Sequence, residues 1–181
     1  MKKITFLILL LTAVVIGYSQ NLYKATSGEI SFFSETPMEN IDAVNKDIKA
    51  LINTKNGEFA FIVANRGFRF EKPLMEEHFN ENYMESDQYK ASMFKGEIVG
   101  SVDFTKDGVY PVKAKGTLNI HGVDKDREIE GELTIKDGVM NITSKFDIKV
   151  EDHKIKIPKL VVKNIAEVVK TTVNINFELK K

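Results

Sequence analysis

The sequence predicts an all-β antiparallel fold, a barrel or a sandwich, with one short amphipathic helix. Three observations predict it. Apolar and polar residues alternate with period two over most of the chain from Ser27 onward, short turns containing Gly or Asp separate the runs, and a single stretch switches to helical spacing. One apolar face and one charged face is the antiparallel pattern, because parallel strands are covered on both sides and read as continuous apolar runs.

The elements follow in order. Glu29-Ile30-Ser31-Phe32 opens the alternation, and Asp47 to Ile52 continues it. Lys55-Asn56-Gly57 then separates this run from Glu58 to Val63, and Asn-Gly between apolar runs signals a hairpin because both turn residues must tolerate positive φ. Gly67 to Glu71 alternates again. Pro73 suits a helix start, where no N–H is needed, and Met75, Phe79 and Tyr83 share one helical face at i, i+4 and i+8. From Ser92 to Phe104 the even positions are apolar or small, and Lys106-Asp107-Gly108 turns the chain. Val109 to Gly122 forms the next run, Asp124-Lys125-Asp126 the next turn, and Arg127 to Lys136 the run after that. Lys136-Asp137-Gly138 leads into Met140 to Val150. Apolar residues from Ile155 to Val162 surround Pro158, and Val169 to Leu179 closes the chain. About eight strands result, with no repeat or linker, so Gln20 to Lys181 reads as one domain.

Residues 1–19 stand apart. Met1-Lys2-Lys3, the apolar run Ile4 to Ile16 and the small residues of Gly17-Tyr18-Ser19 have the anatomy of a cleavable signal peptide, which implies a periplasmic or secreted protein. The apolar run is shorter than the roughly 20 residues of a membrane span, so no span is expected after cleavage. The chain has 26 basic and 26 acidic residues and no cysteine. Interspersed charge of that balance lacks the basic footprint of a nucleic-acid binder. Without cysteine there is no disulfide, no thiol chemistry and no lipidated cysteine, and the fold must stand on its core.

No catalytic residue, metal site or cofactor is expected. His78, His121 and His153 are dispersed and match no zinc spacing; His78 reads as a helix-surface residue, His121 as an outward residue bonded to a neighbouring loop, His153 as solvated. No nucleophile elbow or phosphate-cradling loop occurs. Glu128, Glu130 and Glu132 share the outward face with Lys113 and Lys115, and cross-strand pairing accounts for them. The chain reads as a non-enzyme.

Gly96, Gly100, Ala114, Gly116 and Gly131 fall on the inward parity of their strands. Small inward residues leave room for a ligand in an eight-stranded barrel, or else permit tight curvature in a packed one. If the interior is open, these five line an apolar cavity with Phe32, Phe61, Phe70, Phe79, Phe94, Ile98, Leu118 and Phe146.

Gly116-Thr117-Leu118-Asn119-Ile120-His121-Gly122-Val123-Asp124-Lys125 resembles the hallmark segment of the YceI-like, polyisoprenoid-binding family. The order of Phe32-Phe33-Ser34, Met75-Glu76-Glu77-His78-Phe79 and Tyr89 to Gly96 around it agrees. The resemblance spans nearly all of the mature chain. It implies an eight-stranded antiparallel lipocalin-like barrel that carries an isoprenoid or other lipid in its interior. The alternative is a structural or interaction barrel with a packed core, and co-purifying lipid would separate the two. Lipid hydrolysis is the remaining, weaker reading; the oligomeric state is left open.

Overall fold

The computed structural model describes residues 21–158 and 163–180. The long strand β1 (Leu22–Glu35) is followed by β2 (Asn40–Asn45), β3 (Ile48–Asn53), β4 (Glu58–Ala64) and β5 (Phe68–Phe70). Next come helix α1 (Pro73–His78) and a π-helical turn over Phe79–Tyr83, then β6 (Ala91–Val99), β7 (Gly108–Ile120), β8 (Val123–Lys136), β9 (Val139–Lys149) and β10 (Val168–Leu179). Eight of these strands close an antiparallel barrel in the order β1-β3-β4-β6-β7-β8-β9-β10, with β10 returning to β1.

The two further strands prolong existing barrel positions. β2 carries on the line of β3 along the second half of β1, and β5 carries on the line of β4 and pairs with β2. Two buried asparagines satisfy the backbone at the breaks. Asn45 donates to Ala64 O at 2.7 Å and accepts from Asp47 N, while Asn65 donates to Tyr89 O at 2.6 Å and accepts from Ser92 Oγ. A buried backbone group without a partner is costly, which is what these amides prevent.

Helix α1 starts with Pro73 in its first turn and ends where the π-helical turn begins, after which Glu85 adopts φ +43°. The hairpins at Asn56-Gly57 and Asp137-Gly138 form as the sequence predicts, with Gly57, Asp137 and Gly138 at positive φ.

Other expectations change. The turn between β7 and β8 is His121-Gly122, with φ of +52° and +71°, and Asp124 to Asp126 belong to β8. Their acidic side chains are of a kind common in turns but here form an outward row, where Asp126 accepts from Thr117 Oγ1 at 3.0 Å. The run Ser92 to Phe104 is a strand only to Val99; Val102 and Phe104 pack on the core from a loop. β2 leaves little trace in the sequence, because Ala43 and Asn45 on its inward face give weak apolar contrast. In the stretch Ile155 to Val162, residues 155–158 form no regular element and the rest lies outside the described residues.

One end of the barrel is solid. Ile52, Leu133, Met140, Ile175 and Phe177 are fully buried there, joined by Phe59, Ile135 and Val112. Towards the other end the inward residues do not meet, and α1 with the segment 163–167 lies at the opening.

Candidate functional site: an apolar cavity in the open half of the barrel

The walls of the open half are inward residues of successive strands, which alternation directs to the barrel axis. They enclose an apolar cavity of about 360 Å³. That lies at the small end of ordinary ligand pockets, about 300–1,000 Å³. Phe61, Phe94, Ile98, Ala114, Leu118, Gly131 and Phe146 line it, and so do Phe32, Phe70 and Phe79. The last three form an aromatic cluster with Phe68, the Phe79 ring lying 5.6 Å from Phe32, 5.5 Å from Phe68 and 5.1 Å from Phe70. These offset and tilted contacts suit the ring quadrupoles.

Gly96, Gly100 and Gly116 are not in the lining. Gly96 pairs with Gly116 across β6 and β7, and a Cβ on Gly96 would stand 2.6 Å from the Gly116 Cα. The pair allows two backbones to approach; it does not open the interior. Gly100 lies beyond the end of β6, with φ +148°.

Other lining residues were not singled out from the sequence. Met84, Ile155 and Ile165 come from non-strand segments whose docking no alternation rule reports, whereas Met75 and Tyr83 reach the cavity with Phe79, the trio whose shared face the helical spacing predicts. Ile129, Ile142, Ile148, Thr171 and Val173 sit on the inward parity and were recoverable from it. Thr171 is buried, and its hydroxyl has no hydrogen-bond partner among the described residues.

The mouth is tied by charge. Glu39 accepts from Lys72 at 2.9 Å and from Asn164 at 3.4 Å. The Lys72 hydrogen bond, and then that of Asn164, hold the Glu39 carboxyl below the usual carboxylate range, against a weaker opposing effect of burial. Ser34 Oγ accepts from Ala166 N at 2.9 Å and fixes the same segment.

The histidines separate into different roles. His78 is exposed on α1. His121 is buried, not outward: its ring lies between Glu85 Oε2, 2.8 Å from Nε2, and the His153 carbonyl, 3.2 Å from Nδ1, with the Tyr89 ring against it. His153 is fully buried in the 3-10 turn Val150–His153, not solvated. Burial pushes its imidazole pKa down, and the backbone of Val123 and Ile120 offsets this in part. The sequence suggested a solvated turn because Glu151 and Asp152 precede it, yet the turn folds its last residue under β8.

Among the described residues no three His, Asp or Glu side chains gather as a metal site, and no helix is long and apolar enough to cross a membrane. Lys113 pairs with Glu128 at 2.7 Å and Glu130 at 3.5 Å, the cross-strand pairing that the alternation predicts.

Comparison with known proteins agrees with this architecture. The family model of the YceI-like domain matches residues 14–181. Among solved structures, the chain is similar to a polyisoprenoid binding domain from Saccharophagus degradans implicated in plant cell wall breakdown. The TM-score is 0.72 at 14% identity, covering 87% of this chain and 98% of that one. BcnA of Burkholderia cenocepacia matches with a TM-score of 0.70 at 11% identity, covering 82% and 95%. A YCEI protein of Campylobacter jejuni matches with a TM-score of 0.61 at 17% identity, covering 77% and 85%. Comparison with the curated proteins gives no match.

Proposed function

We propose that this chain, which belongs to the YceI-like domain family, binds and carries an apolar ligand, an isoprenoid or other lipid, in the open half of its barrel. The observation that carries this reading is the cavity itself, lined mainly by Phe, Ile, Val and Met side chains. Such a wall gains from taking apolar surface out of water and offers little to a polar molecule. The Saccharophagus neighbour, described as a polyisoprenoid binding domain, supports the ligand class. The reading is of a binder and not an enzyme: of the polar side chains at the cavity, Ser34, Glu39 and Asn164 are occupied in tying the mouth together. The signal-like residues 1–19 support export to the periplasm or beyond.

The test is extraction of the purified protein into organic solvent with mass spectrometry, alongside titration with diphenylhexatriene, a rod-shaped hydrocarbon that fluoresces on leaving water. Co-purified lipid and saturable one-site binding are expected. Protein that carries no lipid and does not bind the hydrocarbon would favour a structural barrel instead. Intact mass of protein from the native host should place the mature N-terminus at or near Gln20; an uncleaved Met1 would overturn export by this signal.

A further inference from the structure

The barrel is closed in topology but not along every seam. β8 and β9 pair only from Gly131↔Ser144 to Lys136↔Val139. Beyond that point β8 runs on to Val123, held by β7 on its other side, and β9 runs on to Lys149, held by β10. Residues 123–130 and 145–149 therefore share no ladder. Backbone groups along such a parting need other partners or water. Two side chains supply some: Ser144 Oγ donates to Glu130 O at 2.6 Å, and Arg127 Nη2 reaches across to donate to Asp147 O at 2.8 Å.

The parting leads into the cavity. Ile129, Glu130 and Gly131 on one side and Ser144, Phe146 and Ile148 on the other all line it. The Glu130 side chain is 81% exposed, so one residue borders both bulk solvent and the interior. The slit is bounded at both ends, by the Gly131–Ser144 ladder and by the buried Val150 and His153 of the 3-10 turn. A second parting, between β1 and β3 at residues 25–29 and 46–50, differs: Ala25, Ile48 and Ala50 pack on the solid core and none of these residues reaches the cavity.

We propose that the β8–β9 slit is the passage by which a long apolar chain slides sideways into the barrel, with Arg127 as the strap across it. This rests on the cavity being the apolar-ligand site. Ile129, Phe146 and Ile148 give the passage apolar walls. A cavity of about 360 Å³ holds a ligand of modest size; a longer chain has to continue outside, and the slit gives it a path along the barrel wall. The mouth, by contrast, is tied by Glu39 to both Lys72 and Asn164.

The chain has no cysteine, so a pair can be placed cleanly. Continuing the β8–β9 register puts Glu128 opposite Asp147; both are exposed and outside the lining. The double variant Glu128→Cys/Asp147→Cys, bridged with a short bismaleimide, is compared with its unbridged form for the stopped-flow association rate of diphenylhexatriene. Bridging should slow association about tenfold or more, as when binding waits on a conformational change. Arg127→Ala should speed it several-fold, and single-cysteine variants capped with N-ethylmaleimide should keep the wild-type rate. Unchanged rates in both the bridged pair and Arg127→Ala would overturn the passage. So would slowing seen only when Glu39→Cys/Asn164→Cys is bridged, which would make the mouth the route. Failure of unbridged protein to bind the hydrocarbon at all would instead remove the ligand-binding reading, and the passage with it.

Discussion

Gly96 and Gly116 face each other across β6 and β7, and each lacks a Cβ because the other strand stands in its place. A Cβ on Gly116 would come within 2.7 Å of the Gly96 Cα, and the reciprocal contact is 2.6 Å. Backbone, unlike the end of a flexible side chain, cannot give way without parting the ladder. Gly116→Ala should therefore destabilise by at least the 1–3 kcal/mol or so typical of overpacking. Chemical denaturation of the variant measures this, and a loss below about 0.5 kcal/mol, the size of an ordinary surface change, would show that the strands can separate there.

Ala114 is the position where added volume enters the cavity. It lies two residues from Gly116 on the same strand and lines the open half. Ala114→Leu should keep the melting temperature near that of the native chain while hydrocarbon binding falls about tenfold, since the new side chain occupies ligand volume without crossing a neighbour's backbone. Thr117→Leu, on the outward parity, is the control. Loss of stability with binding intact would mean that the space around Ala114 is filled.

The contrast between these two positions shows what the sequence can and cannot say. Alternation places Gly96, Ala114, Gly116 and Gly131 on one parity. It does not distinguish a residue kept small by an approaching backbone from one kept small by empty space. Gly131 combines both, lining the cavity while a Cβ on it would meet the Thr143 carbonyl at 2.9 Å. The phenylalanines were more legible, because an inward aromatic near an open end borders the space whichever way its neighbours turn. The β8–β9 parting was invisible, since Arg127 and Ile129 keep the same parity as Leu133 and Ile135 while the partner strand departs. The hairpin at Asp137-Gly138 was readable from local chemistry. The His121-Gly122 turn was hidden by the more turn-like Asp124 to Asp126.

Phe79 joins the helical segment to the barrel rim. Its ring meets Phe32, Phe68 and Phe70, which come from β1 and β5, so one side chain fastens the π-helical turn to two strands. The ring is only half-buried, so Phe79→Ala should cost about 3 kcal/mol, the lower end of the range for removing an aromatic ring. Urea denaturation gives the value, and a cost under about 1 kcal/mol would show that the helical segment is held by other contacts. Hydrocarbon binding to the same variant should weaken as well, because the ring is part of the wall.

His153 makes stability depend on pH in a known direction. Its pKa is pushed down by burial, so the folded protein holds the imidazole neutral where the unfolded chain, with an ordinary value near about 6.5, takes up a proton. The contribution of neutral His153 is thus fully present above pH 6.5 or so and is lost as the pH falls below that value, because only the unfolded state gains a proton there. The Asp152 carboxylate raises the imidazole pKa and Lys125 lowers it, but desolvation is the largest effect and fixes the sign. Melting temperatures of the native chain and His153→Gln, compared at pH 7.5 and pH 5.5, isolate this residue, since every other titrating group is common to both. The native chain should lose more stability on acidification than the variant. Equal losses would mean that His153 takes up its proton as readily in the fold as in the unfolded chain, and that the turn over Val150–His153 opens to water.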